Sequence, residues 1–454
     1  MRTQDLTTGH VTKTLINFSL PFLLANLLQT LYGIVDMLVV GQFSDAAALA
    51  AVSIGSLLMG TVNLAVIGLA AGGTVLIGQY WGAKLREEAR DTVSTMFTLY
   101  WLISLGITGA MLLLAEPILR LMSTPQESYL GALHYTQICL AGLVFTTGYN
   151  ALSAVLRGMG DSKNPLLFVL IACICNIIGD VVLVAGFNMG AEGAAIATTA
   201  SQGVSMILGI VYLKKKDFFF DFKPRSFTLK KNQSIALLKV GVPIALQEGL
   251  VMLSFVFLEA IINKMGYIAT AAAGVADRVF MVAVIPSTAF CSAISSMVAQ
   301  NIGAGLTDRA RKCLRIGLVI SFAIGALIFI AMALVPGAAI SIFTPDGDVI
   351  ETAVEYLRSY KYEFLLCSLV FCLNGFINGT GHTRFTLYNN IASTFAVRVP
   401  LVYVFSRIAG ATLFHIGIAL PLASAVQLLA AALYVRFGRW NTSIIDKKPS
   451  QVKT

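Results

Sequence analysis

The sequence predicts an all-α integral membrane protein: twelve transmembrane helices in two six-helix bundles, related by a pseudo-two-fold axis along the membrane normal. Composition, recurring apolar runs and an internal duplication carry this reading. Of the 454 residues, 57% are hydrophobic and 12% charged, against about 25% charged in a soluble domain. A soluble fold cannot bury that much apolar side chain and keep a wettable exterior. Disordered chains are excluded as well, because they are polar and charge-rich.

Runs of about 20 apolar residues, the length of helix that crosses ~30 Å of hydrocarbon, recur from end to end. They place spans near 15–41, 50–78, 93–115, 130–156, 166–187, 192–213, 239–262, 277–299, 314–336, 353–377, 386–408 and 415–437. The first is not expected to be a cleaved leader, since it holds Pro21 and Asp36 and lacks a small-residue cleavage site.

Orientation follows from the basic residues. Of 32 Lys and Arg, 25 fall in the connections on the side of the N-terminus, six on the other side, and Arg398 within a span. Both termini are therefore expected in the cytoplasm of a cell-membrane protein. The formal charge of +9 is explained by this placement and does not point to nucleic acid. The richest connection, KKKDFFFDFKPRSFTLKK (214–231), lies near mid-chain and suits contact with anionic lipid. It divides the chain into an N-lobe (1–213), a basic linker (214–238), a C-lobe (239–437) and a tail (438–454). The seven cysteines form no CxxC pair and the four histidines are scattered, so neither a disulfide frame nor a metal site is expected.

The halves repeat. Gln79–Arg90 matches Gln300–Arg311 at an offset of 221, with six of twelve positions identical. RGMGDSK (157–163) pairs with NGTGHTR (378–384) at the same offset, and Pro21 pairs with Pro243 at 222. A near-constant offset at three separate places marks an internal duplication. Carriers built this way run the substrate path between or within the bundles.

Polar groups inside spans are costly and need a reason. Asp36 lies in span one. Asn176 and Asp180 lie in span five at i, i+4, on one helix face. Thr198 and Thr199 lie in span six at a similar depth. Two carboxylates, an amide and a hydroxyl suit Na⁺, which takes oxygen donors, or a proton shared between the acids. The positions matching Asp36, Asn176 and Asp180 in the second half are Leu258, Val397 and Leu401, so the polar set belongs to the first half alone. Glu248 and Glu259 in span seven form a secondary candidate for a proton or drug site, and Arg398 a buried counter-ion. Asp277 and Arg278 are expected near the outer start of span eight. Pro21 stands fifteen residues before Asp36 on the same helix, placed to let that helix bend.

No GxxxxGK[ST], HExxH or GxSxG element is present, so neither a nucleotide-driven pump nor a hydrolase is expected, and no cofactor is called for. From about Thr12 to Gly438 the sequence resembles the multidrug and toxic compound extrusion (MATE) family, in the DinF-like or a related bacterial branch. The resemblance rests on the 6+6 repeat, SLP at the start of span one, and VDMLVVGQFSDAAALAAVSIG (35–55). It also rests on GQYWGAK with its repeat AQNIGAG, on RGMGDSKNP, and on NIIGDVVLV followed by GAAIAT.

The resemblance implies export of cationic or amphipathic drugs in exchange for H⁺ or Na⁺, by a monomer surrounded by lipid. It implies a cation site at Asp36, Asn176, Asp180 and Thr198, a hinge at Pro21, and drug-pocket positions at Gln29, Met59 and Tyr135. The acid that other branches carry eight residues after the span-seven proline falls at Val251 here. A flippase for a lipid-linked or polysaccharide precursor, from the same superfamily, is the alternative. Such flippases tend to line their cavity with several Arg or Lys, and here only Arg398 is clearly intramembrane.

Overall fold

The computed structural model describes residues 4–216 and 218–445; residues 446–454 of the expected tail lie outside the described residues. Among the described residues every regular element is helical. In chain order the long elements are α1 (Val11–Phe43), α2 (Ala46–Gly82), α3 (Arg86–Leu121), α4 (Gln126–Ala141 with Leu143–Gly158), α5 (Lys163–Gly186) and α6 (Gly190–Lys215). The second series is α7 (Lys231–Met265), α8 (Tyr267–Gly303), α9 (Thr307–Leu334), α10 (Gly347–Thr380), α11 (Thr383–Ile391, Ala392–Arg398 and Val399–Ser406) and α12 (Leu413–Phe437).

Each expected span has its helix. Ten of the twelve are single helices long and apolar enough to cross a membrane, and α4 qualifies as a pair bent by 46°. In α11 a π-helical stretch, Ala392–Arg398, interrupts a continuous helical run. Several helices begin before their apolar run: α3 starts at Arg86, α7 at Lys231 and α9 at Thr307. Apolar length reads the hydrocarbon and not the helix end. The first turn of α3 carries Glu87 and Glu88, which suit the positive end of the helix dipole. Large apolar side chains such as Leu113, Leu121, Val319 and Leu327 are left exposed, as lipid-facing surfaces require.

The chain forms two compact units, one built on Leu24–Ala245, the other on Leu6–Leu23 with the chain from Leu246 onward. In the first unit the start of α7 packs on α2, Gly241 lying against Leu69 and Gly72. In the second, Leu15, Phe18 and Phe22 of α1 share a core with Ala289, Ala293 and Met297 of α8. Helix α1 thus passes from one unit to the other just after Pro21, and α7 just after Pro243.

The duplication holds in backbone detail. Gly160 and Gly381 both take positive φ, 88° and 90°, in the turns after α4 and α10. A Cβ on Gly158 would stand 2.9 Å from the Thr74 carbonyl oxygen, and one on Gly379 2.5 Å from that of Ser295; Thr74 and Ser295 are themselves 221 apart. The basic connection is folded onto the first unit. Ser94 Oγ donates to the Ser226 carbonyl at 2.6 Å and accepts the Thr228 N–H at 2.8 Å. Phe220 stacks on Phe97, Phe227 on Trp101, and Lys230 pairs with Asp91.

Candidate functional site

Within the first unit, α1, α5 and α6 bring the predicted polar set together. Asn176 and Asp180 are fully buried and Asp36 nearly so. Asp36 faces Asp180, Asn176 and Thr198, and the Thr198 hydroxyl donates to Asp36 Oδ2 at 3.5 Å. Local sequence explains the approach. Gly179 lets α5 close on α6, because a Cβ there would stand 2.9 Å from that of Ala197. This brings the turn of α5 that carries Asp180 against the turn of α6 that carries Thr198. Directly after Asp180 the helix widens into the π-helical stretch Val181–Gly186, a distortion frequent at functional sites.

Asp36 Oδ1, both carboxylate oxygens of Asp180, and both polar atoms of the Asn176 amide are buried without a protein partner. Buried polar atoms are normally satisfied, and oxygens collected in this way suit a small hard cation or a proton. No group of three or more His, Cys, Asp or Glu that could hold a metal ion occurs among the described residues.

A cavity of about 250 Å³ adjoins the polar set. Thr198, Tyr32 and Cys173 belong to both: all three line the cavity and lie close to Asp36. Gln29 is on the cavity wall with Asn63, Tyr149, Asn150 and Gln202, and among the described residues no Lys, Arg, Asp or Glu lines it. Met59 and Tyr135 are buried in the apolar cluster of the same unit, where Tyr135 accepts a hydrogen bond from Ser56 at 3.0 Å.

The family model described as MatE matches residues 21–182 and 243–404, one copy in each half. The chain belongs to the MatE family. It is 30% identical to the probable multidrug resistance protein YpnP of Bacillus subtilis, over 97% of this chain and 98% of that protein. It is 24% identical to the multidrug export protein MepA of Staphylococcus aureus, over 94% and 93%. Among solved structures, a MOP superfamily transporter from Pyrococcus furiosus matches with a TM-score of 0.89 and 22% identity, over 97% of both chains.

Outside the polar set, this MatE chain carries further intramembrane charges. Glu248 is half-buried near Cys291, and Glu259 is exposed near Asp277; eleven residues of helix hold the two about 16 Å apart. Arg398 is buried, donates from Nη1 to Ser254 Oγ at 3.3 Å, and sits 5.3 Å over the Phe255 ring. Glu363 was missed from sequence although it lies inside span ten. It is 3% exposed and accepts from Ser424 Oγ at 2.7 Å. Tyr32, Ser201 and Gln202 were also missed. Their spacing was the available signal, one turn before Asp36 and one turn after Thr198.

Proposed function

We propose that the protein is a secondary antiporter that expels cationic or amphipathic organic compounds in exchange for H⁺ or Na⁺. The observation that carries this reading is the buried Asp36–Asn176–Asp180–Thr198 set, with partnerless carboxylate oxygens beside a cavity that shares Thr198 and Tyr32 with it. The names of YpnP and MepA support the drug class. The cavity wall supports it too, with Tyr32 and Tyr149 as aromatic faces for a cation and amide and hydroxyl groups for orientation.

The chemistry of exchange follows from charge. With both aspartates ionised and no cation bound, their repulsion favours taking up a cation from outside or an organic cation from inside. A proton or Na⁺ bound there cancels the field that attracts the organic cation. Pro21, on the same helix as Asp36, is the proposed hinge through which that change bends α1. We assign both termini to the cytoplasm of a cell-membrane protein from the distribution of basic residues. The test is efflux of a fluorescent cationic dye from vesicles under an imposed Na⁺ or pH gradient. Gradient-driven efflux is expected, and its absence under both gradients rejects the antiport reading.

A further inference from the structure

The second unit holds the counterpart of the cation site, and its residues have been exchanged as a group. At the repeat offset, Asp36, Asn176, Asp180 and Thr198 become Leu258, Val397, Leu401 and Ala419. Three charges appear in return, since Glu363 stands at the place of Gly142, Arg398 at that of Ile177 and Asp277 at that of Ser56. The surroundings correspond. Tyr135 and its donor Ser56 become Tyr356 and Asp277, which are electrostatic neighbours. Tyr32 becomes Ser254, the residue that accepts from Arg398. Leu258, the counterpart of Asp36, lines one small pocket with Ser254 and Arg398. Each half also carries a π-helical stretch on the corresponding helix, Ala392–Arg398 and Val181–Gly186, at different registers of the repeat.

Each unit therefore gathers two carboxylates, Asp36 with Asp180 in the first and Asp277 with Glu363 in the second. In the second, Asp277, Glu363 and the Arg398 guanidinium are all electrostatic neighbours of Tyr356. Arg398 and Glu363 are electrostatic neighbours, but no hydrogen bond joins them; Arg398 Nε and Glu363 Oε2 have no protein partner. The guanidinium acts on Glu363 through space, as a bound ion would.

We propose that Arg398 is a tethered cation, occupying in the second unit the place that a diffusible cation takes in the first, with Glu363 as its buried counter-charge. The inference rests on the reading of Asp36 and Asp180 as the cation site. The Arg398–Glu363 pair then stays permanently charge-compensated, and one class of coupling-cation site remains per chain. An unpaired buried charge is strongly destabilising, whereas removing both partners is tolerated.

The experiment is thermal unfolding of the purified full-length protein in detergent, at fixed ionic strength, with choline, Na⁺ or millimolar guanidinium as the cation. Arg398→Ala should lower the midpoint by several degrees, and guanidinium should recover part of that loss in the variant but not in the wild type. Arg398→Lys, which keeps a tethered charge, should lose less. Adding Glu363→Gln to Arg398→Ala should recover most of the loss and abolish the guanidinium response. If Arg398→Ala does not fold, the double variant decides: a folded, guanidinium-insensitive protein supports the proposal, and an unfolded one overturns it. It is equally overturned if Arg398→Ala matches the wild type, or if Glu363→Gln lowers both backgrounds alike. Failure of the underlying reading would look different. Asp36→Asn would then keep gradient-driven efflux, whatever the Arg398–Glu363 stability cycle shows.

Discussion

The Thr198 hydroxyl, carried by α6, donates to Asp36 Oδ2, carried by α1, at 3.5 Å. Thr198 also lines the cavity. One side chain thus touches both the proposed cation site and the proposed drug site, so the state of one is felt at the other without a long relay. Thr198→Ala should keep the fold and weaken cation dependence, while Thr198→Ser should retain it. The check is the Na⁺ or pH dependence of dye efflux in the two variants, and equal dependence in both would remove Thr198 from the site.

The aspartates themselves are the stronger test of site identity. Asp36→Asn or Asp180→Asn should reduce gradient-driven efflux to background with expression near normal. Leu258 and Leu401, their counterparts in the repeat, should accept small apolar replacements with transport retained. Measured resistance and dye efflux in cells lacking other pumps would decide this. Retention of gradient dependence in either aspartate variant contradicts the assignment.

Gly179 offers a way to disturb the site without touching a ligand. A Cβ there would meet Ala197 Cβ at 2.9 Å, so Gly179→Val must push α5 away from α6. Overpacking of this kind costs about 1–3 kcal/mol, and here it would also move the turn that carries Asp180 away from α6. A modest fall in thermal midpoint with a severe loss of cation-dependent efflux is expected. Wild-type coupling in a folded Gly179→Val protein would show that the close helix contact is not what positions Asp180.

Pro21 stands where α1 passes between the two units, and Pro243 holds the same place on α7. Pro21→Ala restores a backbone donor and favours a straighter helix. Cation binding by the purified protein should be retained while efflux turnover falls. Unchanged turnover would remove the hinge from the account.

Much of this was legible in the sequence, for physical reasons. Hydrocarbon thickness fixes span length, so the twelve helices could be placed from apolar runs. The i, i+4 spacing of Asn176 and Asp180 put both on one face, and the cost of a buried carboxylate singled out Asp36. The bend of α4 at Gly142 and the π-helical stretches of α5 and α11 were not legible, because hydropathy is blind to a local change of helical pitch. Nor was the depth at which Glu363 meets Arg398, since two charges on different helices are related only by packing. The folding of Phe220 and Phe227 onto Phe97 and Trp101 was hidden behind the charge run that surrounds them.

His382, in the connection between α10 and α11, gives a pH test outside the spans. Burial pushes its imidazole below the ordinary value, against an opposing backbone hydrogen bond at Thr380. On acidification the unfolded chain takes the proton first. The stability from neutral His382 is therefore present above about pH 6.5 and is lost as pH falls through the lowered folded value. His382→Gln should reduce the fall in thermal midpoint between about pH 7.5 and 5.5. An identical fall in wild type and variant would contradict this.

The central claim is that cation and drug compete through one set of charges, and equilibrium drug binding tests it most directly. Affinity of the purified protein for a fluorescent organic cation is to be measured against Na⁺ at fixed pH, and against pH without Na⁺. A coupling of about 1–3 kcal/mol predicts a 5–150-fold loss of affinity as Na⁺ rises or pH falls, and reciprocity requires bound drug to weaken cation binding equally. Asp36→Asn should flatten the dependence. Affinity independent of both Na⁺ and pH in the wild type would contradict the account.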